Sequence, residues 1–207
     1  MTVSADAWQR LWTELGAAEV PRGLFNQLVA AYSERHRSYH TLQHLRECLA
    51  HFEAASALAR RPAEVEAALW FHDAVHDPRA RDNEERSADW AARSILAADC
   101  DAAVAERVRA LVLATDGHAS SDDADTQFLL DVDLAILGAA PARFAEYERQ
   151  VRAEYAHVPE AEFRSRRAQV LRTFLARPRI YGTAAFHDAL EQRARANLQQ
   201  AVAAPRP

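Results

Sequence analysis

The segment Ala67-Ala68-Leu69-Trp70-Phe71-His72-Asp73 places five apolar residues directly before a histidine and an aspartate. Pro62 stands a few residues upstream, and proline is favoured in the first turn of a helix. We therefore predict an apolar helix from Pro62 to about Asp73. Its last two residues then lie where the chain leaves the core, which makes them candidates for a functional site.

The rest of the chain shows the same helical periodicity, with apolar residues spaced to share one helix face. The 207 residues include only five Gly and eight Pro, too few for a β-fold built on glycine turns. We predict an all-α helical bundle of roughly nine to ten helices. We interpret residues 1–207 as one domain, with a core at about 35–138 and a helical C-terminal extension at 141–200.

Several helix boundaries follow from capping and breaking residues. Ser4 is the predicted N-cap of the first helix, and Pro21 is predicted to open the second. Another helix is predicted from about Thr41 to Leu58. An apolar helix from Asp125 to Leu137 is predicted to end at Gly138, because glycine commonly terminates helices.

The composition excludes several classes of enzyme. All 25 basic residues are arginine, so the chain lacks the lysine of P-loop proteins, protein kinases and Schiff-base enzymes. Neither a G-x-G-x-x-G nor a G-x-S-x-G motif is present. Cys48 and Cys100 are the only cysteines, which excludes a four-thiolate zinc site. Nine histidines beside 30 acidic residues instead favour metal binding.

The charge and hydropathy of the chain restrict its location and partners. A formal net charge of −5 argues against nucleic acid as the main partner, because duplex binding requires a basic face. The first residues lack a basic region followed by an apolar stretch, and no apolar run approaches ~18 residues. We therefore expect no signal peptide and no membrane partner, and we predict a cytoplasmic location.

Four short segments carry the candidate chemistry: Tyr39-His40-Thr41-Leu42-Gln43-His44, Phe71-His72-Asp73, Thr115-Asp116-Gly117-His118 and Asp131-Val132-Asp133. His40 and His44 are four residues apart, so both project from the same face of a helix. Asp133 lies within an apolar helix, where a carboxylate is costly to bury unless it is paired, for example with a divalent cation. Asp131 is the alternative, because residues two apart point in different directions on a helix.

This ordered set of His, His-Asp and Asp resembles the HD superfamily of metal-dependent phosphohydrolases. The start Tyr39-His40 to His44 is also similar to the equivalent helix of cyclic-nucleotide phosphodiesterases. More narrowly, these segments resemble an uncharacterised bacterial HD family of predicted phosphohydrolases. The narrower resemblance also rests on Asp82-Asn83-Glu84-Glu85-Arg86-Ser87-Ala88 and on Asp131 to Gly138, and it extends from about Arg35 to Leu198.

The resemblance implies roles for individual residues. It implies that a metal ion is held by His44, His72, Asp73 and Asp133. Asp73 matches the residue that bridges a second ion, and His40 matches the histidine that donates a proton to the leaving oxygen. Imidazole and carboxylate together suit Mn, Fe, Zn, Co or Ni, with Mg as an alternative, bound as one ion or two.

Further residues are weaker candidates for the site. Arg37, next to Tyr39-His40, and His118, in a loop near the site, are assigned to substrate binding, and His118 is an alternative ligand for a second metal. Asn83 or Glu84 is a candidate for orienting water. His76-Asp77 is a second His-Asp pair, but it lies in a polar stretch. Cys48, one turn after His44, is interpreted as a small buried residue rather than a ligand.

The expected function is metal-dependent hydrolysis of phosphomonoesters or phosphodiesters, with metal-activated water as the nucleophile. The expected partner is a small phosphorylated molecule such as a nucleotide. A homodimer is possible, and the sequence does not decide the oligomeric state. One alternative is an HD-fold module that binds metal or nucleotide without turnover. Another is an HD-fold oxygenase with a di-iron site, which would require more His and Asp ligands.

Overall fold

A computed structural model of the chain describes residues 3–203, and over this range the chain forms ten α-helices and three short 3-10 turns, with no strand. The helices are α1 (Ala5–Glu14), α2 (Leu24–Ala31), α3 (Leu42–Ala55), α4 (Pro62–Phe71), α5 (Asn83–Ala97), α6 (Ala102–Leu113), α7 (Ala124–Asp133), α8 (Pro141–Glu154), α9 (Glu160–Leu175) and α10 (Ala184–Ala203). The prediction of an all-α bundle of nine to ten helices is confirmed.

Two predicted boundaries differ from the structure. Pro21 does not open α2, which begins at Leu24 after Gly23, whose φ of 77° lies in the left-handed region and turns the chain. The helix predicted to extend to Leu137 ends at Asp133, and the chain continues as a 3-10 turn over Leu134–Gly138. This change of helix type places Asp133 at a helix end instead of within a helix.

Gly138 is required where this 3-10 turn packs against α10. A Cβ atom at position 138 would lie 2.7 Å from the Cβ of Leu190 and 2.9 Å from the hydroxyl of Tyr181. Any larger residue would therefore push α10 away from the turn that follows Asp133.

α4 is the central helix of the bundle. Every residue from Glu64 to Phe71 is buried, and the helix contacts α1, α3, α5, α6 and α7. The hydrophobic core surrounding it is continuous and includes residues from α1 to α10. Because α4 is enclosed in this way, the residues at its C-terminal end are held by neighbours on several sides.

No helix within residues 3–203 combines the length and the apolar character that a membrane crossing requires.

α1 docks on α4 through aromatic and ionic contacts. The Trp8 ring packs edge-on against the rings of Trp12 and Trp70, with centroid distances of 5.5 and 4.9 Å. Beside them the guanidinium of Arg10 donates to both oxygens of the buried Glu66, at 3.2 and 3.0 Å. Burial raises the pKa of Glu66 to about 7, and the attraction of Arg10 only partly offsets it.

The buried Glu66 predicts a pH dependence of stability. Between pH 4.5 and 7 the folded state retains a proton on Glu66 that the unfolded state has lost, so the free energy of unfolding falls as pH rises through this window. Glu66→Gln should remove this loss, which is on the order of 2 kcal/mol. Urea unfolding at pH 5 and pH 7.5 measures the effect. If the stability difference between variant and wild type is the same at both pH values, this account of Glu66 is wrong.

Candidate metal centre

Three helix ends bring the main candidate residues together. His44 lies in the first turn of α3, which Thr41 caps by accepting a hydrogen bond from the amide of Gln43. His72 follows the last residue of α4, and Asp73 comes next. Asp133 is the last residue of α7. Helix ends position polar side chains without placing them inside the apolar faces of the helices.

The four side chains form a tight group, here called the metal cluster: His44, His72, Asp73 and Asp133. The two Nε2 atoms of His44 and His72 are 3.1 Å apart. Asp73 Oδ2 lies 3.3 Å from His44 Nε2 and 3.1 Å from His72 Nε2. Asp133 Oδ1 lies 3.2 and 3.5 Å from the same two nitrogens.

These spacings fit the ligands of a single cation. Donor atoms about 2.0–2.2 Å from one ion, at bond angles near 90–110°, lie about 3.0–3.5 Å apart. The five distances between imidazole nitrogens and their partners fall in the range 3.1–3.5 Å. The donor set of two imidazoles and two carboxylates suits Zn²⁺, Fe²⁺, Mn²⁺, Co²⁺ or Ni²⁺.

The charges of the metal cluster also favour a cation. Burial raises the pKa of Asp73, but the neighbouring imidazoles outweigh burial and hold this pKa well below its usual value. Burial likewise lowers the pKa of His72, but Asp73, Tyr32 and Asp133 outweigh it and hold this pKa well above its usual value. Two carboxylates therefore draw positive charge into a buried site, and a metal ion would replace the imidazole protons there.

The backbone fixes which nitrogen of His72 faces the cluster. His72 Nδ1 donates to the carbonyl of Leu69 at 2.8 Å, so in the neutral ring Nε2 has its lone pair free for a metal. Asp133 is oriented in a similar way, because its Oδ2 pairs with His118 Nε2 at 2.7 Å and leaves Oδ1 towards the two histidines. The structure thus shows His118 in contact with a proposed ligand, and its role in substrate binding stays a prediction.

The structure separates the two aspartates that the sequence left open. Asp131 turns away from the metal cluster and accepts hydrogen bonds from the amides of Gly182 and Thr183 and from the Thr183 hydroxyl, at 2.6–2.7 Å. Asp131 therefore fixes the chain just before α10. Asp133 is the aspartate that meets the histidines.

Arg37 supports the backbone of the cluster. Its side chain is fully buried, and its guanidinium donates to the carbonyls of His40, Asp73 and Ala74 and to the carboxylate of Glu34. These contacts hold the chain after α4 against the start of α3. The substrate-binding role expected of Arg37 stays a prediction, which its burial does not favour.

Glu154, the last residue of α8, was not predicted as a site residue. Its Oε1 accepts from the amides of Ser38, Tyr39 and His40 at 2.8–3.0 Å, and its Oε2 accepts from His40 Nδ1 at 2.8 Å. The sequence did contain a signal for its burial. Glu154 is spaced to share the apolar face of α8 with Tyr147 and Val151, and a carboxylate on an apolar face is a candidate for a buried functional group.

His40, His76 and Glu154 form a second group that could hold a metal ion, here called the His40 cluster. His76 is buried, and its ring lies 4.0 Å from the His40 ring, centroid to centroid. His76 is thus close to the site although its polar sequence context argued against a functional role.

Cys48 is buried, and its sulfur is 3.6 and 3.7 Å from the two ring nitrogens of His44. The sulfur also lies within 4.8 Å of donor atoms of His44, His72 and Asp133, so Cys48 is a possible further ligand, although the sequence predicted only a small buried residue.

The Asn83 side chain bonds the amide and the carbonyl of Asp77 and closes the polar loop. Glu84 is half-buried in the first turn of α5.

Comparisons of the chain with protein-family models, with curated proteins and with solved structures found no match.

The metal cluster predicts which variants lose a bound ion. His72→Ala and Asp133→Asn each remove a donor, so protein purified without chelators should lose about one equivalent of bound transition metal, the ion of the metal cluster. Asp131→Asn is the matched control, because Asp131 lies on the same helix but bonds Gly182 and Thr183 instead of the metal cluster. This variant should retain the ion. Elemental analysis after gel filtration measures the content. Metal retained in both donor variants, or lost only in Asp131→Asn, would contradict the assignment.

The buried guanidinium of Arg37 predicts a structural effect. Arg37→Ala leaves three backbone carbonyls without their donor, so it should lower the free energy of unfolding by about 3 kcal/mol. The neighbouring Arg35 is exposed, and Arg35→Ala should change stability by less than about 0.5 kcal/mol. Denaturant unfolding of both variants tests this, and equal stabilities would show that Arg37 does not clamp the chain.

Proposed function

We propose that the protein is a metal-dependent hydrolase of phosphomonoesters or phosphodiesters in small molecules, nucleotides among them. One observation carries the proposal: a group of donors suited to a cation lies beside a histidine that a buried carboxylate orients. The rings of His40 and His44 are 6.0 Å apart, centroid to centroid. This arrangement supports the fold and function that the HD resemblance implies.

The chain's own residues supply binding and proton transfer. His44, His72, Asp73 and Asp133 would hold the ion. When bound, a divalent ion lowers the pKa of a water ligand and polarises a phosphoryl oxygen. Asp73 and His40 keep 18% and 23% of their side chains exposed, so a substrate can approach on their side.

His40 is suited to protonating a leaving oxygen. Glu154 accepts from His40 Nδ1, so a protonated ring presents Nε2–H away from the carboxylate. Several hydrogen bonds hold the pKa of Glu154 well below its usual value despite its burial, and it stays a carboxylate that stabilises the imidazolium. The pair can therefore store a proton and release it to the leaving group.

A screen of phosphate release from nucleotides, sugar phosphates and model diesters, with Mn²⁺, Co²⁺ or Zn²⁺ added in turn, tests the proposal. Hydrolysis should require the added ion and should disappear in His72→Ala. Stoichiometric metal binding without turnover of any phosphoester would overturn the proposal and favour a binding module.

The role of His40 predicts a dependence on the leaving group. His40→Gln should slow hydrolysis of an alkyl phosphoester by roughly 10²–10⁴, the usual contribution of a general acid. A nitrophenyl phosphoester, whose leaving group needs little protonation, should lose far less. Comparing kcat for both substrates at constant metal content is the measurement. Equal losses on both would show that His40 positions the substrate or supports the fold.

A further inference from the structure

The His40 cluster has donors that point to one another across a small space. One donor atom from each of His40, His76 and Glu154 lies within 4.8 Å of the other two. The donors meet at Glu154 Oε2, which is 2.8 Å from His40 Nδ1 and 3.5 Å from His76 Nε2.

His76 has a buried nitrogen with no hydrogen-bond partner within residues 3–203. The His76 side chain is 8% exposed, and its Nε2 makes no hydrogen bond even though Glu154 Oε2 is 3.5 Å away. An unpaired polar atom is costly in a protein interior. A cation between His76 Nε2 and the Glu154 Oε2 oxygen would provide a partner for both atoms.

Hydrogen bonds to the Oε1 atom of Glu154 orient its carboxylate for metal binding through Oε2. The three amides of Ser38, Tyr39 and His40 hold Oε1, so the carboxylate has one orientation and keeps its charge. The remaining oxygen, Oε2, faces the two imidazoles. One oxygen thus fixes the orientation of the carboxylate while the other is available to a metal ion, as in many metal-binding carboxylates.

A cavity gives access to two of the three donor residues of the His40 cluster. His76 and Glu154 line a cavity of about 1130 Å³ together with His36, Trp90 and His157. His44 and Asp133 line a separate cleft of about 200 Å³. His76 and Glu154 therefore face a different space from His44 and Asp133, and an ion can reach His76 and Glu154 without passing those two residues of the metal cluster.

We propose that His40, His76 and Glu154 form a second, independent site for a divalent cation of the Zn²⁺ type. Two imidazoles and one carboxylate match the three protein ligands of many zinc and other transition-metal sites, whose open positions are filled by water. Binding releases the proton that His40 Nδ1 shares with Glu154 to the solvent.

Occupation of this site has a consequence for turnover, which rests on the proposed function. The ion takes the place of the proton on His40 Nδ1 and binds the Glu154 oxygen that supports it. The ring then keeps Nε2–H but is no longer an imidazolium, so it is a much weaker acid for the leaving group. Excess Zn²⁺ then inhibits hydrolysis while the metal cluster stays filled. Binding to the site does not depend on that function.

The test counts zinc ions per chain by equilibrium dialysis of chelator-treated protein. Wild type should bind two ions, one at the metal cluster and one at the His40 cluster. His76→Ala should bind one, and His72→Ala should bind one. His157→Ala is the matched control, because His157 lines the same cavity but is exposed, and it should bind two.

A second measurement uses the wild-type chain, so the test does not depend on the folding of a variant. Nitrogen-15 NMR should show the ring nitrogens of His40 and His76 shifting with the second equivalent of Zn²⁺. A single ion per wild-type chain, unchanged binding in His76→Ala, or unshifted His40 and His76 signals would each overturn the proposal. These readouts report binding alone, so they stand whether or not any phosphoester is hydrolysed.

Discussion

The burial of two carboxylates against two imidazoles is the constraint on which the site depends. Asp73 and Asp133 are held within 3.1–3.5 Å of His44 and His72, and most of each side chain is shielded from water. Such charges are tolerated only when positive charge lies between them, as protons on the imidazoles or as a metal ion. The bundle keeps these groups together, because the start of α3 meets the C-terminal ends of α4 and α7.

Much of this arrangement could be predicted from the sequence. His72 and Asp73 follow an apolar run, and local hydropathy alone places them at the end of a buried helix. The choice between Asp131 and Asp133 could not be made in this way, because both lie on one short apolar helix. Contacts between distant parts of the chain distinguish them: Asp131 accepts from Gly182, which is 51 residues away, and Asp133 lies against the histidines.

Glu154 shows the limit of local patterns more clearly. It lies 114 residues from His40, in a helix rich in arginine and glutamate. Composition alone does not distinguish it from the other acidic residues of that helix. Its contacts with three successive amides depend on how α8 crosses the start of α3. The contacts of Arg37 were likewise not predictable from its neighbours in the sequence. Its position beside Tyr39-His40 suggested substrate binding, whereas its guanidinium donates to backbone carbonyls. Helical periodicity can indicate that such a residue is buried, but it does not indicate which distant groups the residue contacts.

The central claim is that His44, His72, Asp73 and Asp133 hold one metal ion. Anomalous diffraction at the metal absorption edge, from crystals grown with Co²⁺ or Zn²⁺, tests it most directly. The account predicts a strong peak about 2.0–2.2 Å from His44 Nε2, His72 Nε2 and an oxygen of each aspartate. A well-ordered chain with no peak among these four side chains, or with its strongest peak elsewhere, would contradict it.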